Sequence, residues 1–225
     1  MKTYDYRVRH RVLLGDLHTP VSTYLKVRDL FPQSFLMESS DYHGSENNRS
    51  FIGLNPLARL SVNHGVATAV FPDDSREEIP VAGKEDVERV MTGFFSRFRA
   101  TGEYAGYCGL YGYTAFNAVR YFEPVNVPDS REDKNDAPDI LYILYKYLIV
   151  FNDFKSELVL IELQAEEESS HLDEVERAPG YRSLSSGRRV PNRAVATFCT
   201  EIPGRRLQAL SRLAEYQSLS LSVLF

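Results

Sequence analysis

Ile140 to Phe151 is an almost unbroken apolar run, carrying one charge, Lys146. Leu141, Ile143, Tyr145, Tyr147 and Ile149 share one strand face, and Tyr142, Leu144, Leu148 and Val150 share the other. A strand apolar on both faces must be covered on both sides. The run is too short to span a bilayer. Asn152–Lys155 then reads as a turn into a return strand, Glu157–Gln164. A chain built around this pair has a mixed or antiparallel β core with helices packed outside it, an α+β class.

The remaining segments fit that class. Tyr4–Val12 alternates apolar and polar residues, as a half-buried strand does, with His10 on the polar face. Thr19-Pro20 is a helix N-cap followed by proline at the first helical position, opening a short amphipathic helix over Pro20–Leu30. Leu57–Leu60 and Val66–Phe71 read as strands on either side of a tight turn, Asn63-His64-Gly65. Pro72–Glu78 reads as an acidic loop. Glu85–Arg99 carries Val87, Val90, Met91, Phe94, Phe95 and Phe98 as one helical stripe. Gly106, Gly109 and Gly112 recur among tyrosines. No Lys-Ser/Thr follows them, so close backbone approach explains them better than a phosphate loop. Gly112–Glu123 reads as a strand running into a helical turn on which Arg120 and Glu123 pair, and Ala165–Arg177 as the start of a helix with His171 exposed.

Composition excludes some functions. The chain has 225 residues, a net charge of −5 and two cysteines, Cys108 and Cys199. That balance argues against nucleic acid as a partner. Two cysteines give neither a disulfide framework nor a zinc pattern, which points to a reducing cytoplasm. Met1–Tyr6 is polar, unlike a secretory signal, and no membrane association is expected. The charge is unevenly divided. Residues 1–176 hold 18 Lys and Arg against 29 Asp and Glu, a net of −11. Residues 177–225 hold eight Arg, no Lys and two Glu, a net of +6. The expected organisation is therefore a domain over 1–176 and a poorly ordered Arg- and Ser-rich tail over 177–225.

The chemistry concentrates at Ser34–Pro56. Two apolar runs, Phe35–Met37 and Phe51–Leu54, flank a polar insert, as in a strand–loop–strand hairpin. Glu38 and Ser39 end the first strand, and Arg49 and Ser50 open the second. A hairpin brings an acid, two hydroxyls and a guanidinium to one end. An amino acid requires such groups: an acceptor for its ammonium and donors for its carboxylate. Ser, Asn and Glu in a hairpin also serve as plain turn chemistry, and the pattern alone leaves both readings open.

Leu36-Met37-Glu38-Ser39, ten residues, then Ser50 resembles the tryptophan-binding signature of anthranilate synthase component I, a Leu-Leu-Glu-Ser with a Ser after the same gap. Ser50–Pro56 resembles the segment that follows it. Gly109–Tyr113 and Ala118–Glu123 resemble the family's second N-terminal signature, with Asn117 where the family has Asp. The motifs keep order and spacing over roughly residues 4–175.

The resemblance implies an N-terminal regulatory part. The family makes anthranilate and pyruvate from chorismate with Mg²⁺ and ammonia. The ammonia comes from a glutamine amidotransferase, component II, and L-tryptophan inhibits the reaction. By this resemblance Ser39 hydrogen-bonds the tryptophan, and Glu38 meets its ammonium or holds the loop. Arg49 offers charge to its carboxylate, and Ser50 fixes the strand. The family's chorismate site and metal-binding glutamates belong to a C-terminal part not recognisable in Arg177–Phe225, nor is the Asn-Pro-Ser-Pro-Tyr-Met-type segment that closes the pocket. The expectation is a truncated chain with no catalytic residue and no cofactor of its own, its tail either divergent or read from a shifted frame. With the pocket open on one side, tryptophan binding by the chain alone is expected to be weak or absent. The alternatives are an aminodeoxychorismate synthase component, a non-catalytic tryptophan-binding or scaffold module, and a non-functional gene fragment.

Overall fold

A computed structural model describes residues 2–15, 18–38, 49–127, 137–152, 155–166 and 168–177. Its strands are β1 (Tyr4–Leu14), β2 (Phe35–Met37), β3 (Arg49–Asn63), β4 (Val66–Val70), β5 (Arg76–Pro80), β6 (Phe98–Thr101), β7 (Leu110–Thr114), β8 (Ile140–Asn152) and β9 (Glu157–Ala165). Its helices are α1 (Pro20–Val27), α2 (Lys84–Phe95), α3 (Val119–Phe122) and α4 (Leu172–Glu176). The class is α+β, with a mostly antiparallel sheet core and few helices. The strand order is β5-β4-β3-β8-β9-β1-β6, with β2 on β3 and β7 on β8. The one parallel pair among the described residues is β1 with β6.

The apolar run forms β8, and it is central and almost wholly buried. It pairs with β3 from Arg49↔Asn152 to Val62↔Ile140. The free edges of these two long strands are each shared by two short neighbours. β2 and β4 divide β3, while β9 and β7 divide β8. The sheet is therefore two half-sheets joined through the β3–β8 ladder.

The division has a local cause. Asn55-Pro56 separates two runs that read as separate strands in the sequence, yet both belong to β3. Asn55 has φ 58°, a left-handed conformation that asparagine tolerates better than most residues. Pro56 brings no N–H, and the register shifts between Pro56 and Ala58. Such a bulge re-aims the following side chains. Before it, Ile52 and Leu54 point into a smaller core with Tyr147, Ile149, Phe151, Leu158 and Leu160. After it, Ala58, Leu60 and Val62 point into the larger core. Without the shift these residues would share one face.

The larger core lies between the half-sheets. Tyr4 of β1 stacks on Phe71, just past β4, at 6.1 Å, although β1 and β4 are far apart in strand order. Phe98 stacks on Tyr4 at 5.6 Å and meets Phe94 of α2 edge-on at 5.1 Å. Burying side chains of this size contributes about 1.5–3 kcal/mol each. The smaller core is capped by Val27 of α1 and by Leu172 and Val175 of α4.

Several sequence expectations need correction. The helix read as Glu85–Arg99 ends at Phe95, and Phe98 belongs to β6. Phe98 sits four residues after Phe94, so helical spacing and core contact coincide there. The acidic segment Pro72–Glu78 is a loop only to Ser75, after which Arg76–Pro80 forms edge strand β5. Its charges suit an edge, where they discourage pairing with another chain. The helix expected from Ala165 is confined to Leu172–Glu176. The one from Pro20 ends at Val27, its start held by Thr19 Oγ1 accepting from the Ser22 N–H at 3.1 Å. The tail after Arg177 lies outside the described residues. No helix among the described residues is long and apolar enough to cross a membrane.

Glu162 faces the interior of β9 with no solvent exposure. Its carboxylate accepts from Ser170 Oγ at 2.6 Å and from the His171 backbone N–H at 3.1 and 3.3 Å. These bonds offset the cost of burying an acid. They fix the approach to α4, where Arg11 of β1 donates to Asp173 at 2.6 Å and also bonds Glu176.

Gly112 is closely approached by the backbone of β8. A Cβ built there would lie 1.8 Å from the Leu141 carbonyl oxygen. Gly106 has open space. Gly112→Ala is expected to lower stability by about 3 kcal/mol or more in urea denaturation, and Gly106→Ala by less than about 1 kcal/mol.

Candidate functional site

The predicted hairpin forms. Phe35, Leu36 and Met37 of β2 pair with Gly53, Ile52 and Phe51 of β3. Continuing that register by one residue sets Glu38 opposite Ser50. Glu38 is exposed, and Arg49 is half-buried as the first residue of β3. Ser50 is buried at 2% exposure. Ser39 lies outside the described residues.

Arg49 and Ser50 do not face one space. They are consecutive strand residues, so their side chains leave opposite faces. Arg49 shares its face with Phe51, and its guanidinium lies 5.6 Å from the centre of the Tyr107 ring. Ser50 shares its face with Ile52, on the side of the smaller core, opposite Phe151 in β8. The polar groups that look equivalent in sequence are thus divided between the two sides of β3.

An aromatic wall that the sequence reading did not assemble stands on the Arg49 side. Phe35 stacks on Tyr111 at 5.0 Å and tilts against Tyr145 at 4.9 Å. Phe51 lies 6.0 Å from Tyr107 and 5.7 Å from Tyr111. The Tyr111 hydroxyl donates to the Tyr107 carbonyl at 2.5 Å, and that of Tyr145 to the Gln33 carbonyl at 2.9 Å. Burial raises both phenols above their ordinary range, so they act as neutral donors. The sequence signal was the run of tyrosines around Gly106, Gly109 and Gly112. Only the register of β7 on β8 shows that it reaches the hairpin.

Gly53 is the gap into which this wall fits. A Cβ there would lie 2.0 Å from Phe35 Cε1 and 2.9 Å from Tyr145 Cδ2.

The other singled-out groups are structural. Cys108 is buried, and desolvation pushes its thiol up to about 12, which withholds a thiolate nucleophile. Arg120 donates to the Asn117 carbonyl at 2.9 Å and lies 3.5 Å from buried Asp139. Tyr121 donates to Asp139 at 3.0 Å and accepts from the Gly65 N–H at 3.1 Å. Asp139 thereby ties α3, the β3–β4 turn and the start of β8, a role not visible in the Arg120–Glu123 spacing. His10 packs on the Tyr104 ring at 4.7 Å, and His64 forms the expected turn with φ 49°. Among the described residues, no group of three or more His, Cys, Asp and Glu could hold a metal ion.

No family profile matches the chain. It is similar to anthranilate synthase component 1 of Acinetobacter calcoaceticus, 31% identical over 175 residues, covering 72% of this chain and 33% of that protein. The Thermus thermophilus protein of the same name is 30% identical over 155 residues, covering 69% and 32%. That of Synechocystis is 26% identical over 145 residues, covering 64% and 28%. The chain spans about a third of the length of the curated relatives it matches.

Gly53→Ala is expected to displace Phe35 from between Tyr111 and Tyr145 and to cost about 2–4 kcal/mol of stability. Phe35→Leu combined with Gly53→Ala should cost less than the sum of the two single changes. Urea denaturation of the four proteins checks this, and strict additivity would show that the ring and the gap are independent.

Proposed function

We propose that this chain, which corresponds to part of anthranilate synthase component 1, is the N-terminal regulatory part of that enzyme and carries one wall of an L-tryptophan pocket. The observation that carries this reading is the match to component 1 relatives, taken with the paired strands that bring Glu38 opposite Ser50. Ser39 hydrogen-bonds the amino acid. Glu38, set opposite Ser50 and so on the face away from Arg49, holds the loop. Arg49, held over Tyr107, donates to the carboxylate as a charge-assisted pair. Ser50 fixes the strand from the opposite face rather than touching the ligand.

The reaction itself, anthranilate from chorismate, belongs with the remaining two thirds of the relatives' length. Bound tryptophan favours an inactive arrangement of this region against the catalytic part, a coupling of about 1–3 kcal/mol. The glutamine amidotransferase component is the proposed partner of the assembled enzyme, in the cytoplasm. Nucleic acid and membrane are not partners in this reading.

The chain contains no tryptophan, so added L-tryptophan is its only indole fluorophore. With the pocket open on one side, its anisotropy is expected to rise saturably only in the millimolar range. Ser39→Ala should abolish the rise. A flat response through that range would remove the sensor role from this chain. Anthranilate formed from chorismate, ammonia and Mg²⁺ by this chain alone would overturn the assignment of catalysis elsewhere.

A further inference from the structure

Away from the hairpin, a cleft of about 440 Å³ opens over β1, β6 and β9. Asp5, Arg7, Arg9 and Arg11 alternate along β1, so their side chains leave one face of the sheet. Parallel pairing sets Asp5 beside Arg99 and Arg7 beside Thr101 of β6. Antiparallel pairing sets Arg7 beside Gln164 of β9. Arg7, Arg9, Arg99, Thr101 and Gln164 all line the cleft.

The same row shows what it selects. Arg11, its last member, binds carboxylates of Asp173 and Glu176 from α4. The α4 acids stop there, and Arg7 and Arg9 continue the row into the open cleft. At the floor, Gln164 is 9% exposed and is held in one orientation. Its amide oxygen accepts from Arg9 Nε at 3.0 Å, and its amide nitrogen donates to the Glu168 carbonyl. That contact aligns the Arg9 guanidinium and leaves its terminal N–H groups for a ligand.

The cleft also holds acids. Asp5 stands in register with Arg99. Glu168 is committed to Lys146 and to the Ala165 N–H. Burial, the largest single influence, opposes ionisation of Glu168, but the hydrogen bonds from Lys146 and the Ala165 N–H and the nearby positive charge together hold its carboxyl below the usual range. Glu166 is exposed at the rim. Glu162 also stands in register with Arg9, its oxygens bonded by Ser170 and the His171 N–H. Two of the four acids near the arginines, Glu162 and Glu168, are thus engaged by other donors.

We propose that this cleft is a binding site for a small oxyanion, a carboxylate or phosphate group held by Arg7 and Arg9 with Arg99 at its side. Two strands of a rigid sheet present the guanidinium forks, whose planar donors match such a group two bonds at a time. The Thr101 hydroxyl, which donates to the Tyr6 carbonyl at 3.4 Å, lines the cleft beside them. The cleft's volume suits a small molecule. This site is independent of the hairpin reading, because none of its residues lies in β2 or β3.

The test is thermal unfolding of the chain in inorganic phosphate and in malonate, each against sodium chloride of matched ionic strength. A saturable rise in Tm beyond the chloride control is expected with at least one anion. Arg7→Gln combined with Arg99→Gln should weaken it about tenfold or more, a change worth about 1.4 kcal/mol in binding. Arg76→Gln, on the distant edge strand β5, should leave it unchanged. Chloride matching both anions, or an undiminished rise in the double variant, would overturn the site. Ser39→Ala serves as the control for the hairpin and should not alter the anion response.

Discussion

The β3–β8 ladder is the interaction on which the structure depends. It runs from Arg49↔Asn152 to Val62↔Ile140, and nearly every other element is placed by where it joins that ladder. The irregularity at Asn55-Pro56 gives the ladder two halves with different neighbours. One half carries β2, β9, β1 and β6, and the other carries β4, β5 and β7. A straight ladder would keep one face of β3 against one core along its length. The bulge lets the same strand feed the smaller core first and the larger core afterwards.

That arrangement sets the character of the hairpin. Its polar end lies at the first rung of the ladder, where Arg49 and Ser50 look toward opposite sides of the sheet. One side is an aromatic wall of stacked and tilted rings. The other is the smaller core, where aliphatic side chains outnumber aromatic ones, closed by two helices. A ligand seated against Arg49 would therefore bear on the wall directly and on the second core only through the strand.

Much of the fold was legible because local and tertiary signals agreed. β8 announced itself by apolar residues on both faces, α1 by Thr19-Pro20, and the β3–β4 turn by Asn63-His64-Gly65. The failures arose where two rules gave the same pattern. Phe98 satisfies helical spacing from Phe94, yet its backbone pairs with β1. Arg76–Pro80 is too charged to look like a strand, and an edge position is what permits that. Asn55-Pro56 looks like a break because bulge and loop use the same residues. At the site, the sequence identified the polar residues but not their distribution between faces. Alternation was readable from Arg49 and Ser50 being adjacent. The aromatic partners were not, since Tyr107, Tyr111 and Tyr145 reach the hairpin only through long-range register. Glu162 did carry a signal, as a lone acid inside an apolar strand.

That acid has a consequence for where the folding unit can be divided. Its carboxylate is satisfied from Ser170 and His171, beyond the last strand of the sheet. A chain cut after β9 would contain every strand and still deprive the Glu162 carboxyl of these donors. The smallest piece able to close its own interior therefore extends through the short segment leading to α4. That segment is a lid on the sheet's chemistry, and the boundary of the unit is set by one buried oxygen pair rather than by the end of the sheet.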